Sequence, residues 1–249
     1  MAGHSKFKNI MHRKGAQDKK RAKLFSRLIR EINVAAKLGV PNPESNPRLR
    51  TAINSALAAN MSRENIERAV KKNSDTSNNS QIEEIIYEGF GPGGIAIIIE
   101  SFTDNKNRTA SEIRTTFNKH NGNLGASGSV RHLFEKVGFI VYSKNISPFE
   151  EIFDFCITIG AKDIEETKDS YEITTSLETF HSILEKMEKK YNSPIESSLD
   201  WKSKELITVN EKDAIKLLNL IEKLEDIDDV QNLSSNIDIT DEIIEKLSW

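Results

Sequence analysis

One cysteine, Cys156, stands in 249 residues, so an internal disulfide is impossible and a reducing compartment fits. It lies in the apolar run Ile152 to Ile159 and reads as a buried structural thiol, not a nucleophile. No apolar run approaches the roughly 20 residues that span a bilayer, and no apolar segment of signal-peptide length follows the N-terminal cations. A soluble, cytoplasmic chain with no membrane partner is expected. The five histidines, at 4, 12, 120, 132 and 181, are too scattered for a metal motif. Gly125-Ala126-Ser127-Gly128 is not a G-x-S-x-G elbow, and Gly89 to Gly94 lacks the Lys-Ser/Thr of a P-loop and precedes a strand. That glycine stretch reads as a hairpin turn. The paired acids Glu165-Glu166 and Asp228-Asp229 read as solvated. Nothing asks for a cofactor, a metal or a small-molecule substrate, and no enzyme is expected.

Acid is also scarce in one place. Between Met1 and Arg30 six lysines and four arginines face only Asp18, a local charge of +9 in a chain of −3. Residues 1–72 hold 17 basic and 5 acidic residues, leaving 18 basic and 33 acidic for the rest. The chain is a basic head on an acidic body, an asymmetry that points to a polyanion.

The head has two parts. Met1 to Gly15 follows no period and carries Lys6, Lys8, Arg13 and Lys14 beside His4 and His12. From Gln17 a helical period runs to Leu38, with Gly39 as its stop. Leu24, Phe25, Leu28, Ile29, Ile32, Ala35 and Ala36 share one face, and Lys19, Lys23, Arg27, Arg30 and Lys37 lie roughly opposite. A solvated helix face is the plain alternative, but few acids are interleaved to form i,i+4 pairs. A second helix starts at Asn46-Pro47, with asparagine as N-cap and proline first. Its first turn holds Arg48 and Arg50, which oppose the helix dipole and would be explained by an outside anion. Asn60 ends it, and Ser62 caps a third helix in which Ile66, Ala69 and Val70 face inward.

Asn73 to Gln81 reads as a polar linker, and beyond it strands and helices alternate. Strands are expected at Ile82–Tyr87, Ile95–Glu100 and Ser129–Phe134, with a helix over Arg108–Lys119 between the last two. From Gly138 onward Phe139–Tyr142, Pro148–Ile159, Asp163–Glu166, Tyr171–Thr174, Glu178–Lys189 and Ile195–Trp201 spell β-α-β-β-α-β, the ferredoxin-like order. Strand Leu206–Val209, helix Glu211–Leu224 and strand Val230–Leu233 are too short for their own core. The expected class is α+β. It comprises a three-helix head (1–72), a linker (73–81), a discontinuous α/β domain (82–135 and 203–249) and a ferredoxin-like insertion (136–202).

Several long motifs keep a recognisable order. M-A-G-H-S-K-F-K-N-I-M-H-R-K at 1–14, Q-D-x-K-R at 17–21, N-P-R-L-R at 46–50 and N-I-E-R-A-V-K-K at 65–72 resemble the YebC family. So do Y-E-G-F-G-P-G-G at 87–94, T-D-N-x-N-R-T at 103–109 and L-E-D-x-D-D-V-Q-N at 224–232. The resemblance implies an N-terminal helical domain followed by two α/β domains, and a cytoplasmic bacterial DNA-binding transcriptional regulator. The same family includes a mitochondrial translational activator and members that act on the ribosome and ease synthesis through proline runs. A ribosomal-RNA-binding translation factor is therefore the alternative reading. The resemblance gives Lys6, Lys8, Arg13, Lys14, Lys19, Lys20 and Arg21 a nucleic-acid-facing role, and makes Gly3-His4-Ser5 the tip that enters an RNA site. Phe7 replaces the usual tryptophan, keeping an aromatic ring but losing its N–H donor. Ser62 and Asn73 replace a common proline and glycine. A third reading, a protein-interaction adaptor working through the ferredoxin-like domains, needs no basic head.

Overall fold

The computed structural model describes residues 17–72 and 82–239, with side chains over 22–71 and 82–239. The linker Asn73 to Gln81, the arm before Gln17 and the residues after Ile239 lie outside that description. The described residues fall into two compact units, 82–135 with 201–239 and 17–72 with 136–200. The class is α+β: three N-terminal helices, then antiparallel sheets layered with helices.

The first unit is organised on β2 (Ala96–Thr103). It forms a hairpin with β1 (Glu83–Phe90), from Glu83 opposite Thr103 to Phe90 opposite Ala96. The glycine-rich stretch is the turn of this hairpin, as its sequence suggests, and Gly93 and Gly94 take left-handed φ values of 76° and 74°. The short β3 (Asn123–Leu124) and β9 (Val230–Ser235) complete a four-stranded sheet in the order β3-β1-β2-β9. β2 is apolar without alternation because both of its faces are covered. Ile95, Ile97 and Ile99 pack with Ile113 and Phe117 of α4 (Lys106–Lys119) and with Leu217, Leu220 and Leu224 of α7 (Glu211–Glu225). Ala96 and Ile98 pack with Val130, Phe134 and Trp201. Two further short strands, β8 (Ile207–Thr208) and β10 (Ile237–Asp238), pair in parallel.

Glu88 shows how the motif at 87–94 serves this unit. It is 2% exposed, and its carboxylate accepts backbone N–H bonds from Gly128 (2.8 Å), Val130 (2.9 Å) and Arg131 (2.9 Å). Burial pushes its carboxyl up, but those three N–H groups and the Arg131 charge outweigh burial and hold it below its usual range. A buried charge is tolerated here because a loop's backbone dipoles converge on it.

The second unit contains α1 (Gln17–Leu38), α2 (Pro47–Ala58) and α3 (Arg63–Lys72). Ile32, Ala35, Leu49, Ala52, Ala56, Met61, Ile66 and Ala69 make their core, and its many alanines allow close helix approach. Asn60 takes a left-handed φ of 60° just beyond α2, as a helix terminator should. The same unit holds a sheet in the order β5-β6-β4-β7, formed by β5 (Asp163–Glu166), β6 (Ser170–Thr175), β4 (Phe134–Ser143) and β7 (Glu196–Ser203). Helices α5 (Phe149–Ile159) and α6 (Phe180–Tyr191) bury Ile152, Cys156, Phe180, Ile183 and Met187 against Ile140, Tyr142 and Ile173. Cys156 is 1% exposed, the buried thiol its apolar run suggested.

One strand expectation is corrected. Residues 129–133 are not a strand, because Arg131–Leu133 forms a 3-10 turn whose backbone is drawn to Glu88. β4 begins at Phe134 and runs through Gly138 without a break. A side chain at Gly138 would bring its Cβ within 2.3 Å of both Phe180 and Thr175, so glycine there permits close packing inside a strand.

Candidate nucleic-acid interface

Asn46 fixes how α1 and α2 meet. Its Oδ1 accepts from Leu49 N (3.0 Å) as the N-cap of α2, and its Nδ2 donates to the α1-end carbonyls of Ala35 (2.8 Å) and Val40 (2.9 Å). Gly39 leaves room for this amide, since a Cβ there would sit 2.5 Å from Asn46 Nδ2. One side chain thus ends one helix and starts the next.

Of the cations expected to contact nucleic acid, Lys6, Lys8, Arg13 and Lys14 lie outside the described residues, as do Gly3, His4, Ser5 and Phe7. Lys19, Lys20 and Arg21 occupy the start of α1, with their side chains outside the description. Lys37 is exposed, whereas Lys23, Arg27 and Arg30 are half-buried. This corrects the picture of α1 as directing one full row of cations into solvent. The apolar face is corrected as well. Leu24 is 43% exposed, while Val34, outside the expected stripe, is 2% exposed. Burial is concentrated in the C-terminal half of α1, where α2 and α3 pack.

Arg48 has a partner within the chain. Its Nε donates to Glu31 Oε1 at 2.7 Å and its Nη2 to Oε2 at 3.3 Å, a two-pronged pair between α2 and α1. Glu31 thus accounts for Arg48 in the first turn of α2, where an outside anion was the expected explanation. Arg50 is exposed, and its charge acts on α6. It helps to lower the carboxyl of Glu185, whose main cause is the Lys189 hydrogen bond, and it opposes the upward push of burial on Glu188. Burial first, and Arg50 second, hold the His181 imidazole below its usual range. One turn along α2, Asn54 Nδ2 approaches Glu188 Oε1 at 3.4 Å, which sets these two helix faces side by side.

The sequence reading missed a polar node in the first unit. Asp229 is 5% exposed, which corrects the expectation of a solvated acid pair at 228–229. Its Oδ2 accepts from Thr109 Oγ1 (2.7 Å), Arg108 Nη2 (2.8 Å) and Thr103 Oγ1 (3.2 Å). Asn105 caps α4 beside it by accepting from Arg108 N at 3.1 Å. The signal was present in the sequence, because the motifs at 103–109 and 224–232 supply every member of this node. Among the described residues no group of three or more His, Cys, Asp or Glu side chains is placed to hold a metal ion. None of their helices is long and apolar enough to cross a membrane.

Three helices carrying grouped cations, followed by antiparallel sheets layered with helices, define an α+β architecture. Residues 5–76 match the family described as TACO1/YebC protein N-terminal domain, and residues 82–237 match the TACO1/YebC second and third domain. A probable transcriptional regulatory protein of Zymomonas mobilis is 49% identical over 247 residues, covering 99% of each chain. One of Rickettsia bellii is 50% identical over 248 residues, covering 99% of this chain and 97% of that one. The crystal structure of a conserved hypothetical protein from Aquifex aeolicus superposes with a TM-score of 0.83 at 45% identity, covering 90% of this chain and 93% of that one. The chain belongs to the TACO1/YebC family.

Proposed function

We propose that this chain is a non-enzymatic, cytoplasmic regulator of gene expression that binds DNA through its basic N-terminal head. The observation that carries the reading is the charge division, 17 basic against 5 acidic residues over 1–72 and 18 against 33 over the remainder. Such a head attracts a polyanion and releases its counterions, and such a body is repelled by one. Contacts made by lysine and arginine grip phosphates and fix register more than they read bases. The names of the relatives, probable transcriptional regulatory proteins, favour DNA as the polymer. In the same reading residues 136–202 are a ferredoxin-like insertion between the halves 82–135 and 203–249, and the strand order β5-β6-β4-β7 supports it.

Crosslinking in cells, followed by mapping of every attached DNA and RNA fragment, tests this directly. The expected result is enrichment of discrete DNA segments. Enrichment of ribosomal RNA without DNA would replace the transcriptional reading with the translational one. Recovery of neither would leave the adaptor reading.

A further inference from the structure

Among the described residues, α4 is the most basic helix of the acidic body. Four of the five basic residues between positions 82 and 135 stand on α4: Lys106, Arg108, Arg114 and Lys119. All four are exposed, and the helix carries one carboxylate, Glu112. Arg108 is held by Asp104 and Asp229, but among the described residues Lys106, Arg114 and Lys119 make no ion pair.

Other helices of this protein pair part of their exposed cations locally, although Arg63, Lys186 and Lys212 make no ion pair among the described residues. On α7, which covers the same sheet, Lys216 lies 3.9 Å from Asp213 and Lys223 lies 3.3 Å from Asp226. On α3 Arg68 pairs with Glu64, and on α6 Lys189 pairs with Glu185 at 2.8 Å. α4 differs in its balance, with four cations against one acid where α7 has three against four and α6 three against two. Its first turn holds Lys106 and Arg108 with no acid, against the helix dipole. Between the cations its exposed surface consists of the single carboxylate Glu112 and of hydroxyls and amides, including Ser111, Thr115 and Asn118, with no large exposed apolar side chain. A helix surface with four cations, one carboxylate and neutral donors suits phosphate oxygens and offers nothing to an apolar protein partner.

We propose that α4 is a second phosphate-contact helix, which grips the nucleic-acid backbone separately from the N-terminal head. The proposal rests on the reading of the chain as a nucleic-acid-binding protein. The contacts are sequence-independent, so α4 adds affinity and salt dependence without base selection.

The test uses the full chain and measures affinity for a random-sequence duplex DNA, and for a single-stranded RNA, across a salt series. The variant R114Q/K119Q removes two charges at exposed positions and should keep the wild-type melting temperature. On duplex DNA each lost contact should flatten the log K against log salt slope by about 0.9, so the pair should flatten it by about 1.8. A head variant, R27Q/K37Q, is measured beside it. If the head variant weakens binding while the α4 variant keeps the wild-type slope, the α4 contact is disproved and the nucleic-acid reading stands. A wild type that binds neither polymer disproves both. Should the α4 variant melt early, acylation of the wild type decides: Lys106 and Lys119 should be protected when the polymer is bound, and equal labelling with and without it overturns the proposal.

Discussion

Asp229 and Arg108, 121 residues apart in the chain, meet at 2.8 Å and join the N-terminal end of α4 to the loop before β9. Phe102 N also donates to the Asp229 carbonyl at 2.9 Å, so backbone and side chain of one residue both clasp the end of β2. Burial pushes the Asp229 carboxyl up, and the hydrogen bonds from Arg108 and Thr109 outweigh it and hold the group below its usual range. In the unfolded chain an aspartate titrates near about 3.9. The stability that Asp229 provides is therefore complete above that value and is lost as pH falls through the lower folded one.

Asp229→Asn should accordingly cost about 1–3 kcal/mol at pH 7, since Arg108 and two hydroxyls lose a charged acceptor. Denaturant titrations from pH 7 down to pH 2 should show the gap between wild type and variant closing only below about pH 4. A gap independent of pH would mean that the charge of Asp229 contributes nothing.

Asn46→Ala should destabilise the helical module by about 1–2 kcal/mol through loss of the α2 cap, with a further loss from the orphaned carbonyls of Ala35 and Val40. Gly39→Ala should destabilise it as well, because its Cβ would meet Asn46 Nδ2. The two residues share one contact, so the double variant should lose less than the sum of the singles. Thermal melts of the four species measure the coupling.

Glu31→Gln separates the structural from the binding role of Arg48. The pair is partly exposed, at 37% and 32%, so its loss should cost no more than about 1 kcal/mol. If the head binds phosphate, releasing Arg48 from its carboxylate should raise nucleic-acid affinity and steepen its salt dependence. Arg48→Gln should shift affinity little. The same salt titration reads both variants.

The Cys156 thiol is pushed up to about 11 by burial, only partly opposed by Lys190. Little thiolate is present at neutral pH, so a maleimide should label the native chain slowly and the denatured chain at once. Fast labelling of the native protein would show that the helix carrying Cys156 opens readily.

Local signals carried most of the fold. Asn46-Pro47 capped and opened α2 as its chemistry requires, and Asn105 did the same for α4. The continuous apolar run at 95–100 announced a strand covered on both faces. What sequence could not convey were meetings across distance. Asp228-Asp229 looks like a surface pair until Arg108 arrives from another segment. Gly138 looks like a break until the ring of Phe180 is seen against it. Leu24 fits the stripe of α1, yet the neighbouring helices pack further along, and Val34 is buried in its place. For the candidate site, charge asymmetry marked the head as the basic part of the chain. Pairing within the chain, as between Arg48 and Glu31, leaves no trace in a charge count.

The pairing of β2 with β9 also bears on how the chain is made. Ile97 faces Ser235 and Ile99 faces Leu233, so this isoleucine-rich strand emerges during translation well before its neighbour exists. At about 5–20 residues per second the interval lasts on the order of 6–25 s. Through that window the β1–β2 hairpin carries an open edge with a sticky, water-shy surface, and newborn chains are prone to clump there. Chaperone capture of stalled nascent chains should accordingly peak at lengths between the release of β2 and the arrival of β9.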